Sequence, residues 1–417
     1  MSRFRMIAIA TVLLVLATGC QRQIMPTPNL YRGTGLDPFD AVPAAQQDAS
    51  VGLLFATDRL PSESGTPWGF GPDRDFSIHY GACTIVLGDG TNWPKVSTDL
   101  LDANAGTVSL RPGEVKHFGG RDDDFRTALR ERLDASERKD VLLYVHGFNN
   151  SFQIAAERLA GVWHFLGRPG VPLLFSWPSR DEVSGYLADR DSVEFAVAHF
   201  KQVLLTLSAE PTIARVHIIA HSSGAELVTT AVRELHLLNG ANVAATRAQL
   251  RLGQVILAAA DVDTGVIQTR VIEEGIHLIP DHVTLYVSRN DGALNLSRFL
   301  RAGMERVGVM DIDGMDEPRR RLFEQYVENV DIIDASGIRT GPFAHAYFVD
   351  SPAVSADIML ILRYAVPLDN TVLRPLAVLS GATRLRRIHP SYLREPSDEW
   401  LTAMRAWRTS HATPPRP

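Results

Sequence analysis

Ala214-Arg215-Val216-His217-Ile218-Ile219-Ala220-His221-Ser222-Ser223-Gly224-Ala225-Glu226-Leu227-Val228 is the stretch on which the reading of this chain turns. Val216 to Ala220 is a short apolar run of the kind that forms a buried parallel strand. From Ala225 the apolar residues recur at helical spacing, through Leu227, Val228, Ala231, Val232 and Leu235. Between strand and helix lies a tight turn carrying Ser222. A serine there forms a nucleophile elbow, usually written G-x-S-x-G, in which small flanking residues let strand and helix pass close together. Ala220 replaces the first glycine and adds little bulk. The pentapeptide is common by chance, so its weight comes from its place between strand and helix.

Working outward, the same alternation continues. Apolar runs at Val141–Val145, Val171–Phe175, Val255–Ala260, Val283–Val287 and Val330–Ile333 read as strands, the last as the final one. Helical patterns separate them, including one from Ser151 through Trp163 and a long one over 181–207; further helical segments fill much of 294–328. Strand alternating with helix predicts an α/β class with a mostly parallel, doubly wound sheet and helices on both faces. Residues 51–385 form the expected globular domain, with N-terminal strands and loops over 51–137 and a core over 138–365. Whether the strands near 51–59 and 76–87 join the main sheet is left open. Residues 386–417, with scattered Arg, Pro and Trp, read as an irregular tail.

The 417 residues are 45% hydrophobic and 22% charged, ordinary for a globular protein, and the formal charge of −6 gives no electrostatic case for nucleic-acid binding. Two cysteines, Cys20 and Cys83, exclude a disulfide framework or a cysteine-rich metal site. Arg3 and Arg5, the apolar run Met6–Leu16 and the small residues Ala17-Thr18-Gly19 have the order of a signal peptide over 1–19. A cysteine directly after such a site resembles a bacterial lipobox, although Leu16 stands one position further from Cys20 than the usual pattern. The expectation is cleavage before Cys20, a lipid on its thiol, and a flexible Pro- and Gln-rich tether over 20–50. Gln21 after that cysteine is compatible with sorting to the outer membrane. Cys83 lies in a strand-like run and reads as a core residue.

A serine hydroxyl needs an imidazole as general base, and the imidazole needs an acid to fix its tautomer. Ser222, Asp291 after the strand at 283–287, and His345 after the strand at 330–333 supply these groups at strand ends, in the chain order Ser, Asp, His. Asp261 and Asp263 also end a strand and are reserve candidates for the acid; His389 is a weaker alternative base. His217 and His221 read as structural. An oxyanion hole requires two N–H donors. Ser223, after the nucleophile, offers one, and Phe148 in His146-Gly147-Phe148 offers the other. Nothing in this scheme calls for a metal or organic cofactor.

Val145-His146-Gly147-Phe148-Asn149-Asn150-Ser151-Phe152, the elbow, Ala260-Asp261-Val262-Asp263, Ser288-x-x-Asp291-x-Ala293-Leu294 and His345-Ala346-Tyr347-Phe348 together resemble a bacterial esterase/lipase-like family of largely unassigned function. The resemblance spans roughly residues 50–365. It implies an α/β-hydrolase fold and a serine hydrolase with Ser222, Asp291 and His345 as nucleophile, acid and base. The expected substrate is a small-molecule or lipid ester, with thioester and amide chemistry open, at a bacterial envelope membrane reached through lipid on Cys20. A different class of function is a catalytically idle hydrolase fold that binds an envelope partner. Loss of Ser222 separates the two.

Overall fold

Along Val141-Leu142-Leu143-Tyr144-Val145 the side chains alternate between two cores. Leu142 and Tyr144 enter one, while Val141, Leu143 and Val145 enter the other. A strand apolar on both faces must be covered on both faces, which makes it the middle of a sandwich of helices around a sheet. The computed structural model describes residues 28–31, 49–62, 68–87, 110–118, 122–180, 186–301, 303–315, 329–341, 343–379 and 384–411. The expected leader over 1–19 and the expected lipidation site Cys20 lie outside the described residues.

The strands are β1 (Ser50–Pro61), β2 (Phe70–Leu87), β3 (Leu110–Phe118), β4 (Asp140–Val145), β5 (Val171–Ser176), β6 (Arg215–His221), β7 (Leu252–Ala258), β8 (His282–Val287), β9 (Val330–Asp334), β10 (Ala377–Val378) and β11 (Leu385–Arg387). They form one sheet in the order β10-β11-β9-β8-β7-β6-β4-β5-β1-β2-β3. From β1 through β5, β4, β6, β7, β8 and β9 to β11 all pairings are parallel. β2 and β3 extend one edge antiparallel and β10 the other. The fold class is as the sequence implies, and the N-terminal strands do join the sheet.

Among the described residues the helices of eight residues or more are α1 (Asp122–Ala135), α2 (Phe152–Phe165), α3 (Tyr186–Ser208), α4 (Ser223–Leu238), α5 (Val243–Leu250), α6 (Gly292–Leu300), α7 (Pro352–Leu362) and α8 (Asp398–Ser410). α2, α7 and α8 cover one face, and α1, α3 and α4 the other. After β4 the chain crosses to β5 on one side, then returns past β4 to place β6 on the other. β4 and β6 are therefore the neighbours at which the strand order reverses, and open α/β sheets bind ligands at the carboxyl ends of strands at such a point.

Three sequence expectations need correction. The tail beyond Leu385 is not irregular: β11 pairs with β9, and Asp398–Ser410 is a helix capped by Ser397. Trp400 and Met404, one helical turn apart, enter the core, and the Trp407 indole donates to the Tyr364 carbonyl at 2.8 Å. Nor is β9 the last strand. Arg387 of β11 is drawn to it by an ion pair with Asp334 at 2.6 Å. Finally, the expected tether is not free throughout, because Asn29–Tyr31 forms a buried turn whose Asn29 side chain donates to the Tyr392 carbonyl at 2.8 Å. Of the stretch 294–328, α6 and a short turn at Val307–Val309 are helical, and 316–328 lie outside the described residues. Cys83 is buried, and burial pushes its thiol up to about 12, which keeps it unreactive.

Candidate active site

Ser222 closes the turn between β6 and α4 with φ 53° and ψ −119°. A side chain rarely tolerates this backbone, which costs on the order of 1–3 kcal/mol. The turn is held by its own peptide groups. The Ser222 N–H donates to Ala258 at 3.0 Å, and its carbonyl accepts from Ala225 and Asp261 at 3.0 and 3.1 Å. The hydroxyl is not spent on capping α4. Ala220 remains in regular strand geometry between Val145 and Leu257, so no glycine is required there. Gly224 is required, because a Cβ would lie 2.6 Å from the His146 carbonyl oxygen and 2.7 Å from that of Val145.

Asp291 and His345 are brought together from the ends of β8 and β9. His345 Nδ1 donates to Asp291 Oδ2 at 2.7 Å, and the carboxylate is fully buried. The other oxygen, Oδ1, caps α6 by accepting the Leu294 N–H at 2.9 Å. Both oxygens are therefore directed. The Gly292 N–H, donating to the Phe343 carbonyl at 2.8 Å, clamps the His345 loop to the same turn. Beyond the loop, the Tyr347 hydroxyl donates to the Tyr286 carbonyl at 2.8 Å and accepts the Ala259 N–H at 3.2 Å, which ties it to β8 and β7.

His221 links this pair to the elbow. Its Nε2 donates to the His345 carbonyl at 3.3 Å, and its ring lies 4.7 Å from that of His345 and 4.8 Å from that of Phe348. Burial, with His345 beside it, holds His221 well below the usual imidazole range, so it is a neutral spacer. His217 is elsewhere in β6, with Nδ1 accepting the Gln254 N–H at 3.0 Å.

The reserve residues are otherwise engaged. Asp261 accepts from Arg306 Nε at 2.7 Å and from Ser297 at 2.8 Å, and Asp263 caps the turn at Thr264–Val266. His389 is exposed and bonded to Ser391 at 2.6 Å.

The loop after β4 meets the elbow. A Cβ at Gly147 would lie 2.7 Å from the Ser222 Cβ and 3.0 Å from the His221 carbonyl oxygen. Gly147→Ala is therefore expected to force loop and elbow apart, lowering stability by about 1–3 kcal/mol and hydrolytic turnover by more than that loss explains. Thermal melts alongside kcat test this. The Gly147 carbonyl accepts from His146 Nδ1 at 2.8 Å and from Asn150 Nδ2 at 3.0 Å. A trans peptide places the next N–H opposite its carbonyl, so the Phe148 amide faces away from those donors. Ser223, first residue of α4, contributes one of the N–H groups that a helix start leaves without an intrahelical partner.

Asp350 follows His345 at the end of a short helix, Tyr347–Asp350. Burial lifts its carboxyl from 3.8 to about 6, against the pull of Arg158. With the folded value above the unfolded one, the protonated acid stabilises the fold below about pH 4, and this is lost as pH rises through about 6. Asp350→Asn is expected to gain more stability over wild type at pH 8 than at pH 4, by on the order of 2–3 kcal/mol. Denaturant melts at the two pH values check the difference.

A parallel sheet flanked by helices, with a strained serine after a central strand and a His–Asp pair at neighbouring strand ends, defines an α/β hydrolase. The chain belongs to the family described as alpha/beta hydrolase of unknown function (DUF900), whose model matches residues 121–363. No curated protein matches the chain. Among solved structures it is similar to the crystal structure of Plasmodium falciparum PdxK with ligands AMP-PNP and PL. The two are 14% identical over 38% of this chain and 55% of that one, so the match spans about half of that protein's length, and the TM-score of 0.21 establishes no shared fold.

Sequence reasoning missed Arg59 and Asn150, which hold the loop after β4. An arginine ending an apolar strand and the paired asparagines after His-Gly-Phe are their only marks in the sequence.

Proposed function

We propose that this protein is a serine hydrolase that cleaves a carboxylic ester at the cell envelope, held there by lipid on Cys20. The observation that carries the reading is the backbone of Ser222, at φ 53° and ψ −119°, in the elbow that His221 ties to a hydrogen-bonded His345–Asp291 pair. A turn that served only to connect strand and helix would relax with glycine or asparagine. Strain retained on a serine in this turn supports an attacking hydroxyl.

His345 donates through Nδ1 to Asp291, so Nε2 carries the lone pair. That nitrogen takes the Ser222 proton as Oγ attacks the ester carbonyl, and Asp291 stabilises the imidazolium. The amides of Phe148 and Ser223 hold the oxyanion. Collapse expels the alcohol, which takes the proton from His345 and leaves an acyl-serine. A water then gives a proton to His345 and attacks the acyl carbon; expulsion of Ser222 Oγ, reprotonated by His345, releases the acid.

The test is steady-state hydrolysis of p-nitrophenyl esters of graded acyl length by the full chain in detergent, with a matched thioester and anilide. Ester turnover that falls at least about a thousandfold in His345→Ala supports the proposal. Turnover indifferent to that substitution contradicts it, and preference for the thioester or anilide would change the substrate class.

A further inference from the structure

Arg59 is the least expected charge in the fold. It ends the apolar run of β1 and is only 1% exposed. Its guanidinium spans two loops. Nε donates to the Ser176 hydroxyl at 2.8 Å, and Nη1 to the carbonyls of Ser179 and Gly71 at 3.0 and 3.2 Å. Nη2 donates to the Asn150 carbonyl at 2.7 Å and faces His146 Nε2 at 3.4 Å. Asp189, 2% exposed, completes the set, accepting from the Ser179 hydroxyl at 2.5 Å.

These contacts act on one peptide bond. An arginine only donates, so His146 Nε2 must accept, and the ring proton must sit on Nδ1. Nδ1–H is the group that bonds the Gly147 carbonyl at 2.8 Å. The second donor to that carbonyl is the amide of Asn150, whose own backbone Arg59 holds. Asn150 Nδ2 also reaches the Phe148 carbonyl at 2.8 Å. Arg59 thus sets the tautomer of one donor and the position of the other. Stacking of His146 on Trp177, with centroids 4.9 Å apart, keeps the ring in plane, and the Trp177 indole donates to the His146 carbonyl at 2.7 Å.

We propose that Arg59 is a positioning residue for the oxyanion hole. Through His146 and Asn150 it fixes the Gly147–Phe148 peptide with its carbonyl turned inward and its N–H presented to the substrate. The inference rests on the serine-hydrolase reading above. It also extends the working enzyme beyond residues 121–363, because β1 lies outside the segment that matches the family. Lysine would not substitute, since one ammonium cannot span Ser176, Ser179 and Asn150 as the planar guanidinium does.

The test compares wild type with Arg59→Met, Asn150→Asp and the double variant. For each, kcat and KM for a p-nitrophenyl ester are measured beside the affinity for phenylboronic acid, whose tetrahedral adduct with serine loads the oxyanion hole as the transition state does. Loss of a single oxyanion donor costs about 10²–10³ in kcat. Misplacing one is expected to cost at least about tenfold, with KM changed less than about threefold and boronate affinity falling in step with kcat/KM. The double variant should lose little more than the worse single one, because both act on one peptide. Should Arg59→Met fail to fold by circular dichroism, Asn150→Asp, close to isosteric, must still show the same split. Ester turnover that needs Ser222 but keeps its kcat and boronate affinity in folded Arg59→Met overturns the role of Arg59 alone. Turnover that survives Ser222→Ala removes the serine-hydrolase reading and this role with it.

Discussion

Ser222→Ala is expected to lower kcat for ester hydrolysis by about 10⁴–10⁶, leaving the residue of catalysis that binding and the oxyanion donors supply alone. The magnitude follows from the loss of the covalent route. Without Oγ no acyl-enzyme forms, and His345 can only activate water from a position set for a serine. KM is expected to move little, because the hydroxyl contributes to the transition state more than to ground-state binding. Stability should not fall. Ser222 does not cap α4 with its side chain, and alanine meets the same backbone strain at φ 53°. Parallel measurement of kcat, KM and melting temperature separates lost chemistry from lost fold. Unchanged kcat would remove Ser222 from the mechanism.

Asp291→Asn is the second large effect, about 10⁴ in kcat, and its cause is the tautomer. In the wild type Oδ1 accepts the Leu294 N–H and Oδ2 accepts His345 Nδ1–H. Asparagine can still cap α6 through its carbonyl oxygen, which directs its NH2 group at His345. The imidazole must then accept at Nδ1 and carry its proton on Nε2, where it cannot take one from Ser222. Asparagine is a good N-cap, so stability should change by less than about 1 kcal/mol. Asp261→Asn is the contrasting control. Asp261 holds Arg306 and Ser297, and its N–H holds the elbow, so its loss should act on stability before it acts on the pH profile of kcat. A kinetic loss confined to Asp261→Asn would exchange the two assignments.

The sheet was legible because its strands are buried on both faces, and runs such as Val141–Val145 and Val283–Val287 announce this without tertiary information. The places of Ser222, Asp291 and His345 after their strands were legible for a related reason: each follows directly from where an apolar run ends. The choice between Asp291 and Asp261 was not. Both follow parallel strands, and only the partners that each carboxylate finds across the fold, His345 for one and Arg306 for the other, separate them. Arg59 was hidden for the same cause. Its partners Ser176, Ser179 and Asn150 lie more than eighty residues away in the chain, and no local pattern carries such a link. The helix at 398–410 escaped because only two of its residues are fully buried. Trp400 and Met404 enter the core, Leu401, Ala403 and Trp407 pack partly against it, and tertiary packing holds the helix down.

The most direct measurement is exposure of the folded full chain to a fluorophosphonate probe, with peptide mass mapping of the labelled residue. An activated serine displaces fluoride from phosphorus and keeps the phosphonyl group, whereas ordinary serines do not react. Near-stoichiometric label on Ser222, lost in His345→Ala, is the expected result. Absence of label from a folded protein, or label on another serine, would contradict the nucleophile and turn attention to a hydrolase fold used for binding.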